Sequence, residues 1–436
     1  MLQKTIMTLM LLGLGACSSM HYPVNQPLPV APSTRYDLHA LQNEDNSMSL
    51  FIFVSFSGGG TRAAAMAYGV LEALANTPIR WEGQDKNLAQ EIDVVSGVSG
   101  GSIAGAFFAL KGGRFFEEFP RRFLNVDFQG GVIRSIFSPS GLHQLTSPRF
   151  GRSDIIQQLL DQHLFEGSTY QTLVQQGRRP LFIATATDIT DGHRFEFIPE
   201  QFDFLCSDLN ALPLSRAVAA SMAVPVVFSP ITLWSYADRC QHRVPEQDVF
   251  GLISARKRNY VHLVDGGLSD NLGLRSPVAY LKRAGGMLGA IQGAAKDMRK
   301  MVHIIVNAQV SPRFPEDHSA DTPGMIRTIN AVSDIPISLV SRGSQVEFNN
   351  AIAQGESEVR RYEAEHPVPG RALFSTYVID VNFDKITDRE ERAYLLGLST
   401  SLSLPKADVD RVRKAARDQL YTDPDFLRLL AEIGRK

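Results

Sequence analysis

Apolar positions along this chain follow two rhythms. Nearly unbroken apolar runs, short enough for strands buried on both faces, lie at Leu50–Phe56, Ile92–Val95, Leu181–Thr187, Tyr260–Val264, His303–Val306 and Thr376–Val381. Between them the apolar residues recur at helical spacing. Ala63 to about Ala75 carries Met66, Val70, Leu71 and Leu74 on one face, and Ser102–Leu110, Ser153–Leu164 and Ser276–Arg283 read as further helices. The tail from Ile386 to Glu432 reads as largely helical, with Val409, Val412, Ala416 and Leu420 aligned along Lys406–Tyr421. Strands alternating with helices predict an α/β sandwich: a mainly parallel sheet between two helical layers, with a helical C-terminal extension. No internal repeat or heptad stretch interrupts the pattern.

The first residues do not belong to this pattern. Lys4 is followed by an apolar run from Ile6 to Ala16, of signal-peptide length and too short for a finished membrane span. It ends in Leu14-Gly15-Ala16-Cys17, which resembles the lipobox of bacterial lipoproteins. That resemblance implies acylation of Cys17 as the first mature residue. Ser18, where Asp would imply retention at the inner membrane, implies an outer-membrane location, lipid-anchored and facing the periplasm. An ordinary signal peptide cleaved near Ala16 is the competing reading. Residues 17–48, with Pro23, Pro27, Pro29 and Pro32, read as an extended tether. Residues 49–310 would then form the main domain, and 311–436 a mostly helical extension packed on it.

With 436 residues, 44% of them hydrophobic, the chain can bury a large core. A net charge of −2 and the lack of a long basic run argue against a nucleic-acid partner. No protein partner is evident. Cys206 and Cys240 remain after Cys17; in an oxidising compartment they could pair, and two separate buried thiols are the alternative. No Cys/His cluster has metal-ligand spacing, so neither metal nor organic cofactor is expected.

Chemistry concentrates in three glycine turns, each placed after a strand. These are Gly58-Gly59-Gly60 with Arg62, then Gly97-Val98-Ser99-Gly100-Gly101, then Asp265-Gly266-Gly267. A serine between glycines, after a strand and before a helix, is the context of a nucleophile elbow. Any one of these turns alone reads as an ordinary strand-to-helix connection. Together, at the carboxyl ends of parallel strands, they would converge on one edge of the sheet, where α/β proteins place their sites.

The order GGGxR, GxSxG, DGG resembles the patatin-like phospholipase family. Ala219-Ala220-Ser221-Met222-Ala223-Val224-Pro225 resembles its A-S-x-A-x-P segment, and Leu181–Phe197, with Thr187-Asp188 and Gly192, the strand and turn before it. The resemblance runs from Leu50 to Pro277, and more loosely into the tail, as in lipoprotein-anchored bacterial members. It implies the patatin-like three-layer α/β/α sandwich. It also implies a serine acyl hydrolase, of phospholipase A or lysophospholipase type, acting on membrane phospholipids or related acyl esters. Ser99 would be the nucleophile and Asp265 its partner in a dyad without histidine. Gly58, Gly59 and Gly60 would supply oxyanion-hole donors with Arg62 beside them, supporting the oxyanion or holding the loop, a lipid phosphate being its other candidate partner; Gly97, Gly101, Gly266 and Gly267 would shape the turns. The chain departs from the family after the third turn, where Asn271 is followed by Leu272 and not by proline.

Each role has its own physical requirement. A serine hydroxyl needs a base to take its proton. An aspartate with a pKa near 3.9 is a weak base, and burial would raise it. Asp188 and Ser221 read as capping or packing residues, and His193 and His262 as structural or solvent-facing. The rival enzyme is an α/β-hydrolase with a Ser-His-Asp triad, whose histidine would follow Asp265 as His303, His318 or His366; none sits in an obvious catalytic turn. The rival of another class is a non-catalytic lipid-binding lipoprotein. Gly131–Phe137 and Phe250–Ile253 are candidates for an acyl groove or lid, and equally for core.

Overall fold

The computed structural model describes residues 20–29, 34–41, 46–240, 258–294, 297–310, 320–322, 324–369 and 373–434. The apolar run before Cys17, Cys17 itself, Phe250–Ile253 and His318 lie outside them.

Seven strands form the main path of one sheet: β1 (Leu50–Phe56), β4 (Ile92–Val98), β5 (Leu181–Asp188), β7 (Ile231–Trp234), β8 (Tyr260–Asp265), β9 (Lys300–Asn307) and β10 (Ser375–Asn382). A short β6 (Arg194–Glu196) pairs with β5, and β2 (Pro78–Trp81) and β3 (Gln84–Asn87) make a separate hairpin. The order across the sheet is β10-β9-β1-β4-β5-β8-β7. Pairs from β10 to β5 are parallel, whereas β8 runs antiparallel to both β5 and β7.

The strands are apolar throughout because both faces are covered. On one side Ile52, Val54 and Phe56 of β1 meet helices α1 (Gly60–Ala75) and α2 (Gly100–Lys111); on the other, Phe51 and Phe53 face separate clusters. Helix α3 (Leu214–Ser221) sits beside the end of β8, and α4 (Arg275–Arg283) follows β8 after a single helical turn. Helix α5 (Met325–Glu365), 41 residues and so about 60 Å long, lies along the second face through Phe348, Ile352 and Val359. The three-layer α/β/α sandwich is the architecture expected, and α5 lies within the extension expected to be mostly helical, although its own bounds were not read from the sequence.

The C-terminal region is not an extension laid on a finished domain. It supplies β10 to the sheet, paired along its whole length with β9. Its helix α6 (Lys406–Thr422) packs across α1 so closely that a Cβ on Gly69 would stand 2.7 Å from the Arg413 carbonyl oxygen. This is why α1 is buried nearly all round and not along one face only. Helix α7 (Pro424–Ile433) covers the outer edge of β10: Asp425 accepts the Val378 N–H at 3.0 Å, and Arg428 donates to the Thr376 carbonyl at 2.8 Å.

The expected tether also needs correction. Its described part is packed, extended over residues 20–29 but turning at 37–40, because its polar side chains serve strand backbones. Asn25 is buried, bonded to the Trp234 N–H and carbonyl at 2.7 and 2.9 Å. Tyr36, also buried, exchanges hydrogen bonds with the Phe182 backbone on β5. Nearby, Cys206 and Cys240 form a disulfide, with Cα atoms 5.8 Å apart. Of the suggested groove segments, Gly131–Ile136 lies in helix Phe128–Ile136, with Val132 buried and Ile133 and Phe137 exposed. Among the described residues no helix is long and apolar enough to cross a membrane.

Candidate active site

Ser99 stands between β4 and α2 with φ +51° and ψ −122°, a conformation that non-glycine residues rarely hold. Three hydrogen bonds keep it there. Its N–H donates to Ser221 Oγ at 2.9 Å, and its carbonyl accepts from Ser102 Oγ at 2.6 Å and the Ser102 N–H at 3.0 Å. The neighbouring glycines are required by close approach. A Cβ on Gly97 would meet Ser102 Cα at 2.5 Å, and one on Gly101 would meet Ser57 O at 2.6 Å. Ser99 also caps the positive end of α2, which favours negative charge at this point.

Asp265 ends β8, and here the sheet differs from expectation. The three turns do not all lie at the carboxyl ends of parallel strands, because β8 enters from the opposite direction. It pairs only with the far end of β5, Ala186–Asp188, and Asp265 halts opposite Ala186. In the parallel register Val98 lies opposite Thr185. The antiparallel strand therefore stops at the level of Ser99, and the two residues meet across β5.

The Asp265 carboxyl is buried, which pushes its pKa up to about 6; the Gly267 N–H, donating to Oδ1 at 2.8 Å, and the Ser99 hydroxyl hold it lower than burial alone would. Its carbonyl accepts from Thr187 Oγ1 at 2.8 Å. Gly266 has no room for a side chain against the Thr185 carbonyl.

The first glycine turn splits into two roles. Gly58 was expected to offer a free N–H, but it donates to the Asn271 carbonyl at 3.2 Å. Gly59 and Gly60, at φ +140° and +59°, open α1, and their N–H groups meet no acceptor among the described residues. The Gly100 N–H is in the same condition at the start of α2.

Of the roles expected for Arg62, the structure shows the loop-holding one. Arg62 is buried, which lowers its pKa to about 10 despite the attraction of Asp334. Its guanidinium donates to the Ala308 carbonyl at 2.8 Å, the Leu398 carbonyl at 2.6 Å and Thr400 Oγ1 at 3.2 Å. These bonds hold the glycine turn to the C-terminal region. The Thr61 N–H adds another, to the Ser401 carbonyl at 2.8 Å.

Among the described residues no histidine bonds to Ser99 or Asp265. His303 is buried against Ser55 Oγ at 2.9 Å and stacked on Phe53, with burial pushing its pKa down to about 3. His262 meets Thr232 Oγ1 and His366 the Tyr362 carbonyl. Asp188 is paired with Arg258 and caps the Thr190 N–H. No group of three metal-ligating side chains occurs among the described residues.

Sequence reasoning missed Asn271 as a contributor. Its side chain fills the gap between Gly58 and Gly267, and Nδ2 donates to Ser341 Oγ of α5 at 3.3 Å. Its signal was faint: a single asparagine shortly after the aspartate turn.

A family model described as patatin-like phospholipase matches residues 54–278, half of the chain. The chain belongs to the patatin-like phospholipase family. Both Ser99 and Asp265 fall inside the matched region. No curated protein matches the sequence significantly. Among solved structures, human GIVD cytosolic phospholipase A2 is similar at 12% identity and a TM-score of 0.44, covering 91% of this chain and 64% of that one. The same human protein with methyl gamma-linolenyl fluorophosphonate gives 9% and 0.40, with coverages of 90% and 60%. VipD from Legionella pneumophila gives 11% and 0.29, covering 89% and 67%. The chain thus spans less than two thirds of the length of the human phospholipase chains.

Proposed function

We propose that this protein is a serine acyl hydrolase of membrane glycerophospholipids or related acyl esters, of phospholipase A or lysophospholipase type, working through a Ser99–Asp265 dyad. The observation that carries this reading is the Ser99 hydroxyl set against a buried carboxyl whose pKa is raised to about 6. Ionised Asp265 takes the Ser99 proton as Oγ attacks the acyl carbonyl. Negative charge on the former carbonyl oxygen is stabilised by the N–H groups of Gly59, Gly60 and Gly100, each such donor being worth about 2.7–4 kcal/mol. Asp265 returns the proton to the leaving alcohol, which departs and leaves Ser99 acylated. Water then attacks the acyl-enzyme, giving its proton to Asp265; the fatty acid leaves and Ser99 Oγ regains the proton. No metal or organic cofactor enters these steps.

The test is fatty-acid release from phosphatidylethanolamine and lysophosphatidylethanolamine vesicles, with covalent labelling by a fluorophosphonate. Ser99→Ala and Asp265→Asn should each abolish release while the protein stays folded. Full release by folded Ser99→Ala overturns the reading, and a histidine variant that alone abolishes it favours a triad instead. Folded wild type inert to both substrates and probe favours a binding lipoprotein.

The enzyme would work tethered to an outer membrane through acylated Cys17. Support comes from the lipobox-like Leu14–Cys17 and from the Cys206–Cys240 disulfide, which suits an oxidising compartment. Each buried CH₂ of an acyl chain adds about 0.8 kcal/mol to anchoring. Palmitate labelling that persists in Cys17→Ala would overturn this part.

A further inference from the structure

Ser99 and Asp265 stand on strands that are not neighbours. β5 lies between β4 and β8, so two strand spacings, about 10 Å, separate the backbones that carry the dyad. The sheet ladder alone fixes each residue to β5 but not to the other. A link between the two backbones must come from outside the sheet.

The turn at the end of α3 supplies it. Ser221 Oγ accepts the Ser99 N–H at 2.9 Å. The Ser221 carbonyl accepts the Gly266 N–H at 3.2 Å, and the Ala223 carbonyl accepts the Asp265 N–H at 3.0 Å. Three acceptors within three consecutive residues therefore hold the backbone of both halves of the dyad. Ser221 is fully buried, so water cannot replace its oxygen. The helix behind it is itself fixed: the buried Arg216 guanidinium donates to Asp154 Oδ1, to Gln157 Oε1 at 2.8 Å and to the Thr232 carbonyl at 2.9 Å.

We propose that the Ser221–Ala223 turn is the positioning element of the dyad, with the Ser221 hydroxyl oxygen setting the Ser99 elbow against Asp265. The inference rests on the dyad reading above. Ser221 touches neither substrate nor reacting atoms in this scheme. It acts through the Ser99 backbone, whose unusual φ and ψ give way once the N–H loses its acceptor. A displacement of about 1 Å between reacting groups lowers rates about 100-fold.

The test is the rate constant and stoichiometry of fluorophosphonate labelling of Ser99 in wild type and Ser221→Ala, with kcat and KM on lysophosphatidylethanolamine. Positioning predicts full labelling stoichiometry, a labelling rate constant and kcat about 100-fold lower, and KM within about twofold of wild type. Equal labelling rates overturn it. So does reduced stoichiometry at an unchanged rate constant, which is the signature of partial unfolding. If Ser221→Ala does not fold, Ser221→Cys carries the test, because its sulfur is a weaker acceptor of similar size. A labelling rate between about 3- and 30-fold below wild type is then expected, and an unchanged rate overturns the proposal. Wild type that labels nowhere overturns the dyad reading and this role with it. Wild type that labels at Ser99 beside an equally fast Ser221 variant overturns this role alone.

Discussion

Gly100 and Gly60 meet backbone to backbone: a Cβ on Gly100 would overlap the Gly60 carbonyl, and its Cα stands within 2.8 Å of the same position. The nucleophile elbow and the first glycine turn are thereby pressed into one another, which brings the unbonded N–H groups of Gly59, Gly60 and Gly100 into a single neighbourhood. Gly60 is closed on its other side by the Ser401 carbonyl and has φ +59°. Gly100→Ala should therefore cost activity at least 100-fold even in molecules that fold, and Gly60→Ala should be less stable as well, since it adds backbone strain. Hydrolysis per labelled site and thermal melting check this; wild-type activity in Gly100→Ala would contradict the packing.

With Asp265 as the proposed base, its raised pKa should set the pH dependence. A base must be ionised, so kcat/KM should fall as pH drops through about 6, two units above the ordinary aspartate range. Stability follows the opposite sense. Between the ordinary value of 3.8 and about 6 the folded protein holds more protons at this site than the unfolded chain. The contribution of Asp265 to stability therefore decreases as pH rises through that window and stays reduced above it. Asp265→Asn should thus be inactive, yet gain stability relative to wild type as pH rises from about 4 to about 6, and keep that gain at higher pH. An acid limb near 4, or the reverse stability trend in paired melts, would refute the assignment.

Arg62 makes the C-terminal region part of the catalytic fold, through bonds spanning as many as 338 positions of sequence. Arg62→Ala leaves the carbonyls of Ala308 and Leu398 without their charged donor and should destabilise the protein by about 2–3 kcal/mol. Arg62→Lys should recover only part, because an ammonium cannot reproduce the planar fork. A chain ending at residue 310 lacks β10, α6 and Arg62's outer acceptors, and should fail to unfold cooperatively. Denaturant titration measures all three, and a cooperative 1–310 fragment would restore the simpler domain boundary.

The parallel half of the sheet was legible because strands buried on both faces are apolar without interruption, as in Leu50–Phe56 and His303–Val306. The direction of β8 was not, since strand polarity leaves no trace in the composition of Tyr260–Asp265. The bounds of helix α5, inside an extension expected to be mostly helical, were not legible because its packed face uses Ser341 and Ser344 beside few large residues, so helical periodicity is weak there. Within the site, Ser99, Asp265 and the glycines announced themselves by local motif. Their restraints did not: Arg62 reaches Leu398 and Ser221 reaches Ser99 across long sequence separations that no local pattern encodes.

Asn271 offers a direct measure of how the glycine turns are coupled. Gly58 has an ordinary backbone conformation, so an added Cβ is opposed by contacts and not by φ. That Cβ would lie 3.4 Å from Ser99 Cβ, an ordinary contact, but only 2.6 Å from Asn271 Oδ1. The obstacle to Gly58→Ala is thus one side-chain oxygen, held in place through Ser341. Asn271→Ala removes that oxygen while keeping the backbone carbonyl that accepts the Gly58 N–H. Each single variant should lose activity, and the double variant should lose less than the two losses combined. A coupling energy of about 1–2 kcal/mol in log(kcat/KM) is expected, within the range seen for residues in contact. Losses that add within about 0.5 kcal/mol would mean that Asn271 does not set the position of the Gly58 turn.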